Sequence, residues 1–302
     1  MRILIIGSNG FIARHIRNAL VAEGHRVTGA ARKPRAGDIA CDLVRDVSPA
    51  VWRSRVQAFD AVINCVGLLA GSRGALQAVH ADAPAAIATA CGETRKPFLH
   101  IGILNLEGAP HSPKAPYSET KRAGEEAIRH AYPGATIVRP SVVFGQDSPA
   151  TRMAMMQANL PLMILPQQTG LIVPIHVDDL AALCATLIST VRAQGVDVDA
   201  VGTAAMTMEE YLQSLRKGLG RPPAKILKLP NAWLRASLKL TGAFHIPNLH
   251  PALLDLMEHR HTGHPQHFLR WMRRDPMPVS EFLAPHPAAP IAKHPAATPH
   301  PV

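Results

Sequence analysis

Tyr117-Ser118-Glu119-Thr120-Lys121 is the stretch of this chain best suited to proton chemistry. In a helix, a spacing of four puts Tyr117 and Lys121 on one face, one turn apart. An ammonium beside a phenol lowers the phenol's pKa toward neutrality, which makes tyrosine a usable acid or base. The same lysine could hold ribose hydroxyls. A Tyr-x-x-x-Lys pair is common on exposed helix faces, so its weight depends on its surroundings. The second chemical stretch is Gly7-Ser8-Asn9-Gly10-Phe11-Ile12-Ala13. Gly7 permits a tight turn, Gly10 lets backbone approach a pyrophosphate, and a following helix would offer free N–H groups to an anion. Ala13 stands where a third glycine is usual and still allows close helix–strand packing.

These residues need a frame. Arg2-Ile3-Leu4-Ile5-Ile6 reads as a parallel strand buried on both faces. Ile12, Ile16 and Leu20 then recur at spacing four, Gly24 sits where a helix would end, and residues 25–30 read as a second strand. Strand, glycine loop, helix and strand follow in the order of a dinucleotide site. Past the second strand an acid would bind ribose hydroxyls and select NAD, whereas a cation accommodates a 2′-phosphate. No acid falls between Arg26 and Arg35, and Arg32, Lys33 and Arg35 are candidate cations, so NADP is expected, with NAD left open. Residues 38–43 read as a short third strand whose Asp42 could approach the adenine. Residues 60–67 read as a fourth, ending Asn64-Cys65-Val66-Gly67, where glycine lets the strand end lie against a cofactor.

A helix over about 76–91, interrupted or restarted at Pro84, and a fifth strand over 97–102 lead to the Tyr117 helix, which runs to about Ala131. Further on come a helix over 177–191 with Asp178 and Asp179 in its first turn, and a strand over 197–202. A capping box at Thr207 and Glu210 opens a helix ending at Gly218 or Gly220, and a short strand follows over 225–230. The pattern predicts an α/β fold, a doubly wound parallel sheet of Rossmann-like type with a small C-terminal lobe. Residues 1–230 would form the dinucleotide-binding domain, with lobe segments interleaved after about 145, and 231–283 the helical C-terminal part of the lobe. The tail, 284–302, is mostly Pro, His and Ala, cannot bury a core, and is expected to be disordered.

Composition narrows the partners. With 302 residues and 47% hydrophobic content the chain can bury a large core. Cys41, Cys65, Cys91 and Cys184 fall in separate apolar elements without paired spacing, which reads as buried thiols in a reducing compartment. The N-terminal apolar run is too short for a signal peptide, and Pro161, Pro166, Gln167 and Gln168 interrupt the apolar stretch 158–177. A cytoplasmic protein is expected. The net charge of +10 fits nucleic acid, an anionic membrane or an acidic protein. Aromatics are only 4% and no nucleic-acid motif is present, so nucleic acid is set aside. Peripheral docking on a membrane or protein complex through the basic C-terminal part stays open. His259, His261, His264 and His267 cluster, but Gly263 and Pro265 break any single helical face, so no metal site is expected.

The glycine loop, Asn64-Cys65-Val66-Gly67 and the Tyr117–Lys121 pair together resemble the short-chain dehydrogenase/reductase superfamily. Lys121-Arg122-Ala123-Gly124-Glu125, Ile137-Val138-Arg139-Pro140-Ser141-Val142-Val143-Phe144-Gly145 and Pro174-Ile175-His176-Val177-Asp178-Asp179-Leu180 narrow this to its extended or atypical branch, the NAD-dependent epimerase/dehydratases. Within that branch the chain is similar to the nucleotide-binding accessory subunits of respiratory complex I. The resemblance covers about residues 1–230. It implies an NAD(P)-dependent oxidoreductase or epimerase/dehydratase acting on a small molecule, or a non-catalytic dinucleotide-binding assembly protein. It further implies that Gly7, Asn9, Gly10, Phe11 and Ile12 line the pyrophosphate and that Tyr117 handles the proton. Lys121 would be the electrostatic partner and ribose ligand, with Pro140 and Ser141 beside the nicotinamide. Active members carry Ser or Thr just past the fifth strand, where this chain has Gly102, with Asn105 or Ser112 as substitutes. Loss of one polarising hydrogen bond costs about 10²–10³ in rate, by analogy with an oxyanion-hole donor.

Overall fold

The structure is a computed structural model and describes residues 1–104, 116–190, 194–241, 254 and 257–283. The strands are β1 (Arg2–Ile6), β2 (Arg26–Ala31), β3 (Ile39–Ala40), β4 (Ala61–Asn64), β5 (Phe98–Ile101), β6 (Thr136–Pro140), β7 (Val143–Phe144), β8 (Leu162–Pro166), β9 (Ile175–His176), β10 (Asp197–Ala200) and β11 (Lys225–Leu229). The helices are α1 (Phe11–Ala22), α2 (Pro49–Gln57), α3 (Arg73–Gln77), α4 (Ala83–Glu93), α5 (Pro116–Ala131), α6 (Pro149–Ala158), α7 (Val177–Ser189), α8 (Met208–Gly218), α9 (Asn231–Thr241) and α10 (Pro265–Met272). A π-helical turn, Ala78–Asp82, joins α3 to α4.

Among the described residues the main sheet has seven strands in the order β10-β6-β5-β4-β1-β2-β3, every pair parallel. Successive strand residues point to opposite faces, and the core divides accordingly. Ile3, Ile5, Ile63, Leu99 and Val138 pack with α1 and α7 on one face. Leu4, Ile6, Val62, Phe98 and Ile137 pack with α2 and α4 on the other. The apolar runs of the sequence are continuous, not alternating, because both faces are covered. The order reverses between β1 and β4, and the ends of those two strands carry the glycine loop and Asn64.

A smaller lobe is built from β8, β11, α6 and α8 around Phe144, Met163, Leu165, Tyr211, Leu212 and Leu215. Its α8 opens with the expected capping box, in which Thr207 and Glu210 satisfy each other's backbone N–H groups. The third strand is shorter than expected, because the Asp42 backbone N–H turns to the Asp46 carboxylate instead of extending the ladder. Residues 257–283 return to both parts of the molecule. Phe268 of α10 is buried in the core beside α7, whereas Val279 and Phe282 enter the lobe core. Much of the apolar stretch 249–257, the tail 284–302, Asn105 and Ser112 lie outside the described residues. Among the described residues no helix is long and apolar enough to cross a membrane.

Candidate dinucleotide and proton-transfer site

At the carboxyl end of β1 the chain turns through Gly7 at φ +82°, a conformation that side chains resist. A Cβ on Gly7 would stand 2.8 Å from Val66 Cγ2, so the glycine loop and the loop after β4 meet here. Gly10 caps α1 with its own N–H on the Gly7 carbonyl, and no side chain caps the helix. The first-turn N–H groups of a 12-residue helix are thus left to an anion. Asn9 donates to the Lys33 carbonyl at 2.8 Å, fastening this loop to the one after β2. The Phe11 ring lies against Gly145, at 3.0 Å from where a Cβ would be. Ile12 packs toward the α1–α7 core and has its backbone N–H to offer.

The proton-handling side lies across the same edge. Lys121 is buried and donates from Nζ to the Ile101 carbonyl at 3.0 Å. Its Nζ is 3.6 Å from the Cβ position of Gly67, so α5 delivers the lysine to the end of β4. Burial draws the Lys121 pKa down to about 8, with Glu125 opposing. Burial pushes the Tyr117 phenol up to about 12. This corrects the expectation of a lowered phenol. Both groups are taken out of water, and desolvation outweighs the field of an ammonium already committed to a carbonyl.

Glu125, one turn beyond Lys121, answers the absence of a hydroxyl after β5. Its Oε1 accepts from Ile103 N at 2.9 Å, and its Oε2 is held by Arg139 Nε at 2.6 Å. A side chain on Gly102 would collide with this carboxylate, so a serine at 102 would have to push Glu125 off its partners. Ser141 Oγ donates to the His261 carbonyl at 2.8 Å and accepts from Val173 N at 3.1 Å. Pro140 pairs with Ala200 at the end of β6. Arg32 and Lys33 are exposed just past β2, and the Asp42 carboxylate accepts from Val44 N within its own turn. Gly7, Val66, Gly67 and Lys121 are therefore brought together, with Arg32, Lys33 and Asp42 on the β2–β3 side. His259 and His261 are buried, while His267 accepts from Asp199 N on another element.

A cleft of about 850 Å³ lies elsewhere, lined by Arg14, His15, Arg17, Asp147, Asp178 and Phe282. Several of its charges are already paired: Arg14 with Asp147 at 2.7 Å, Arg17 with Asp38, and His15 between Asp147 and Asp178. The glycine loop, with its uncapped helix and the cradle at Gly7, fits a pyrophosphate better.

Residues 1–210 match the family model described as the RmlD substrate binding domain. The chain belongs to this family. A ceramide reductase of Caulobacter vibrioides is 26% identical over 270 residues, covering 87% of this chain and 84% of that protein. Subunit 9 of the NADH dehydrogenase [ubiquinone] 1 alpha subcomplex of Dictyostelium discoideum is 28% identical over 120 residues, 39% of this chain and 33% of that protein. The human epimerase family protein SDR39U1, solved with NADPH, shares the fold at TM-score 0.69 and 20% identity, covering 94% of this chain and 98% of that one. This RmlD-family chain is an oxidoreductase of the NAD(P)-dependent, extended short-chain type.

Sequence reasoning missed several side chains that shape the site. His80 lay in no motif, and Thr120 and Glu125 lay within the stretches 117–121 and 121–125 without a role assigned to them. Gly124 was a usable signal, since a glycine inside a helix often marks a close backbone approach. Asn64 was singled out, and its Oδ1 does accept from Val66 N. Its amide also reaches His100 Nδ1 at 3.1 Å, a contact between strands that spacing does not reveal.

Proposed function

We propose that this chain reduces a carbonyl group with NADPH and that its substrate is a lipid of the ceramide type. The observation that carries the chemistry is Lys121, buried, fixed to the Ile101 carbonyl, and facing Gly67 one turn from Tyr117. Backbone groups of Gly7, Asn9, Gly10, Phe11 and Ile12 hold the pyrophosphate, with Val66 and Gly67 beside the dinucleotide and Asp42 toward the adenine. Lys121 binds the ribose, and Pro140 and Ser141 flank the nicotinamide. When bound, the nicotinamide supplies the hydride that reduces the carbonyl carbon. Tyr117 gives its phenolic proton to the carbonyl oxygen, and its high pKa keeps that proton in place beforehand. The similarity to a ceramide reductase, which spans most of both chains, supports a lipid.

The test is NADPH oxidation by the purified chain with a long-chain keto lipid in detergent. Tyr117→Phe should lower turnover by about 10²–10⁴ and leave cofactor affinity nearly intact. Equal turnover by the folded variant would reject the role. The preference for NADPH rests on Arg32 and Lys33, exposed past β2 with no acid between Arg26 and Arg35. Replacing both with alanine should weaken NADPH at least about tenfold more than NADH, since a charge-assisted contact is worth roughly 1.5–3 kcal/mol. Unchanged discrimination would return both to the solvent.

A second reading concerns location: the lobe docks on an anionic lipid surface. Residues 211–254 contain no Asp or Glu, and Leu162, Ile164, Leu227 and Trp233 are exposed on or beside the β8–β11 sheet.

A further inference from the structure

His80 lies in the middle of the π-helical turn and is fully buried. Its Nε2 accepts from the Leu68 N–H at 3.0 Å, in the loop directly after Gly67. A ring nitrogen that accepts from an N–H carries no proton, so in the neutral imidazole the proton sits on Nδ1. Nδ1 is 2.8 Å from Thr120 Oγ1, and Thr120 gives its own hydroxyl proton to the Pro116 carbonyl at 2.7 Å. The polarity thus runs one way, from Leu68 to His80, to Thr120, to Pro116. The same ring meets Tyr117 in a T-shaped contact with centroids 5.3 Å apart.

We propose that His80 is a positioning residue, one that holds the loop after Gly67 in register with the helical turn bearing Tyr117 and Lys121. The inference rests on the reductase reading above and names a group that reading does not use. Burial requires both nitrogens to be engaged, and the partners they find belong to two different elements of the site, the loop after Gly67 and α5. The π-turn supplies the aim, because its extra residue per turn redirects the side chains within it. The backbone of α5 is so close that a Cβ on Gly124 would collide with the His80 carbonyl, so ring and helix move as one. Burial, aided by the Lys121 charge, draws the His80 pKa down to about 3. The ring therefore keeps its acceptor and its donor at any pH where the enzyme works.

The test compares His80→Leu, His80→Gln and Thr120→Val in the full chain, each with Tyr117 intact and with Tyr117→Phe. A displacement of reacting groups by about 1 Å can cost 10²-fold, so His80→Leu should lower kcat by about tenfold or more. NADPH binding should weaken several-fold, because the Leu68 loop loses its tie. The amide of His80→Gln offers one acceptor and one donor and should recover most of both losses. On the Tyr117→Phe background His80→Leu should cost nothing further in kcat, because the residue acts through Tyr117. An equal loss on both backgrounds would mean a structural role only and overturn the proposal, as would unchanged kcat and binding. If His80→Leu does not fold, Thr120→Val removes the hydroxyl that links His80 to the Pro116 carbonyl at nearly constant shape and decides by the same comparison. Calorimetric NADPH titration needs no turnover. A chain that binds NADPH yet reduces nothing would sink the reductase reading, while weakened binding by His80→Leu and its rescue by His80→Gln would still judge the tie to the loop.

Discussion

Lys121 stays charged at neutral pH although burial has drawn its pKa from 10.5 to about 8. The folded chain therefore holds this proton less tightly than the unfolded chain. The resulting cost is complete below about pH 8 and is relieved as pH rises from there toward 10.5. Each tenfold change in proton affinity is worth about 1.4 kcal/mol, so the cost at neutral pH is up to roughly 3 kcal/mol. Lys121→Met, similar in length and uncharged, should raise stability at about pH 7 by up to that amount, with the gain fading by about pH 10. Denaturant unfolding at both pH values measures it. A gain that does not shrink with pH would show that the buried charge is not its source. The same variant should lose dinucleotide affinity, a stability–function trade that surface lysines do not show.

Between the helices, the closest constraint is Gly124 in α5 against the π-turn. Here two helical backbones approach so nearly that even a methyl group has no room. Overpacking against backbone costs about 1–3 kcal/mol or more, because backbone cannot rotate away as a side chain can. Gly124→Ala should lower the melting temperature and, by moving α5, reduce turnover more than it reduces stability. A variant as stable and as active as wild type would show that the two elements separate freely. The sequence shows a helix interrupted or restarted at Pro84; in the structure Pro84 sits in the first turn of α4, and the backbone is helical from the π-turn straight into it. The sequence does not show the π-turn before α4, because residues 78–91 are small or apolar on nearly every face, and a shift of phase leaves no trace in such a run.

At the scale of the molecule, charge and exposed apolar area coincide on the lobe. An interfacial surface needs apolar side chains to enter the headgroup region and cations to meet anionic lipid. Trp233, 73% exposed, and Leu162, Ile164 and Leu227 supply the first, and Arg221 and Lys225 the second. The chain should sediment with vesicles of phosphatidylcholine and phosphatidylglycerol far more than with phosphatidylcholine alone. Trp233→Ala combined with Leu227→Ser should release it. Equal sedimentation with both vesicles, or none, would reject the docking surface.

Local order along the chain was enough for the sheet except β6, which entered only as a family motif. The runs Arg2–Ile6, Ala61–Asn64 and Phe98–Ile101, each followed by a helix, force a parallel, doubly covered sheet, because parallel strands need crossovers. The Gly7–Gly10 turn and the Tyr117–Lys121 spacing were legible for the same reason, since each lies within one turn or one helix. The contacts between elements were not. Tertiary structure alone put Glu125 where a residue-102 hydroxyl would have been, tied Ser141 to His261, and set His80 between Leu68 and Thr120. It also reversed the direction expected for the Tyr117 pKa. A pKa answers to the water removed around a group as well as to its neighbours in sequence, and only the packed structure determines how much water that is.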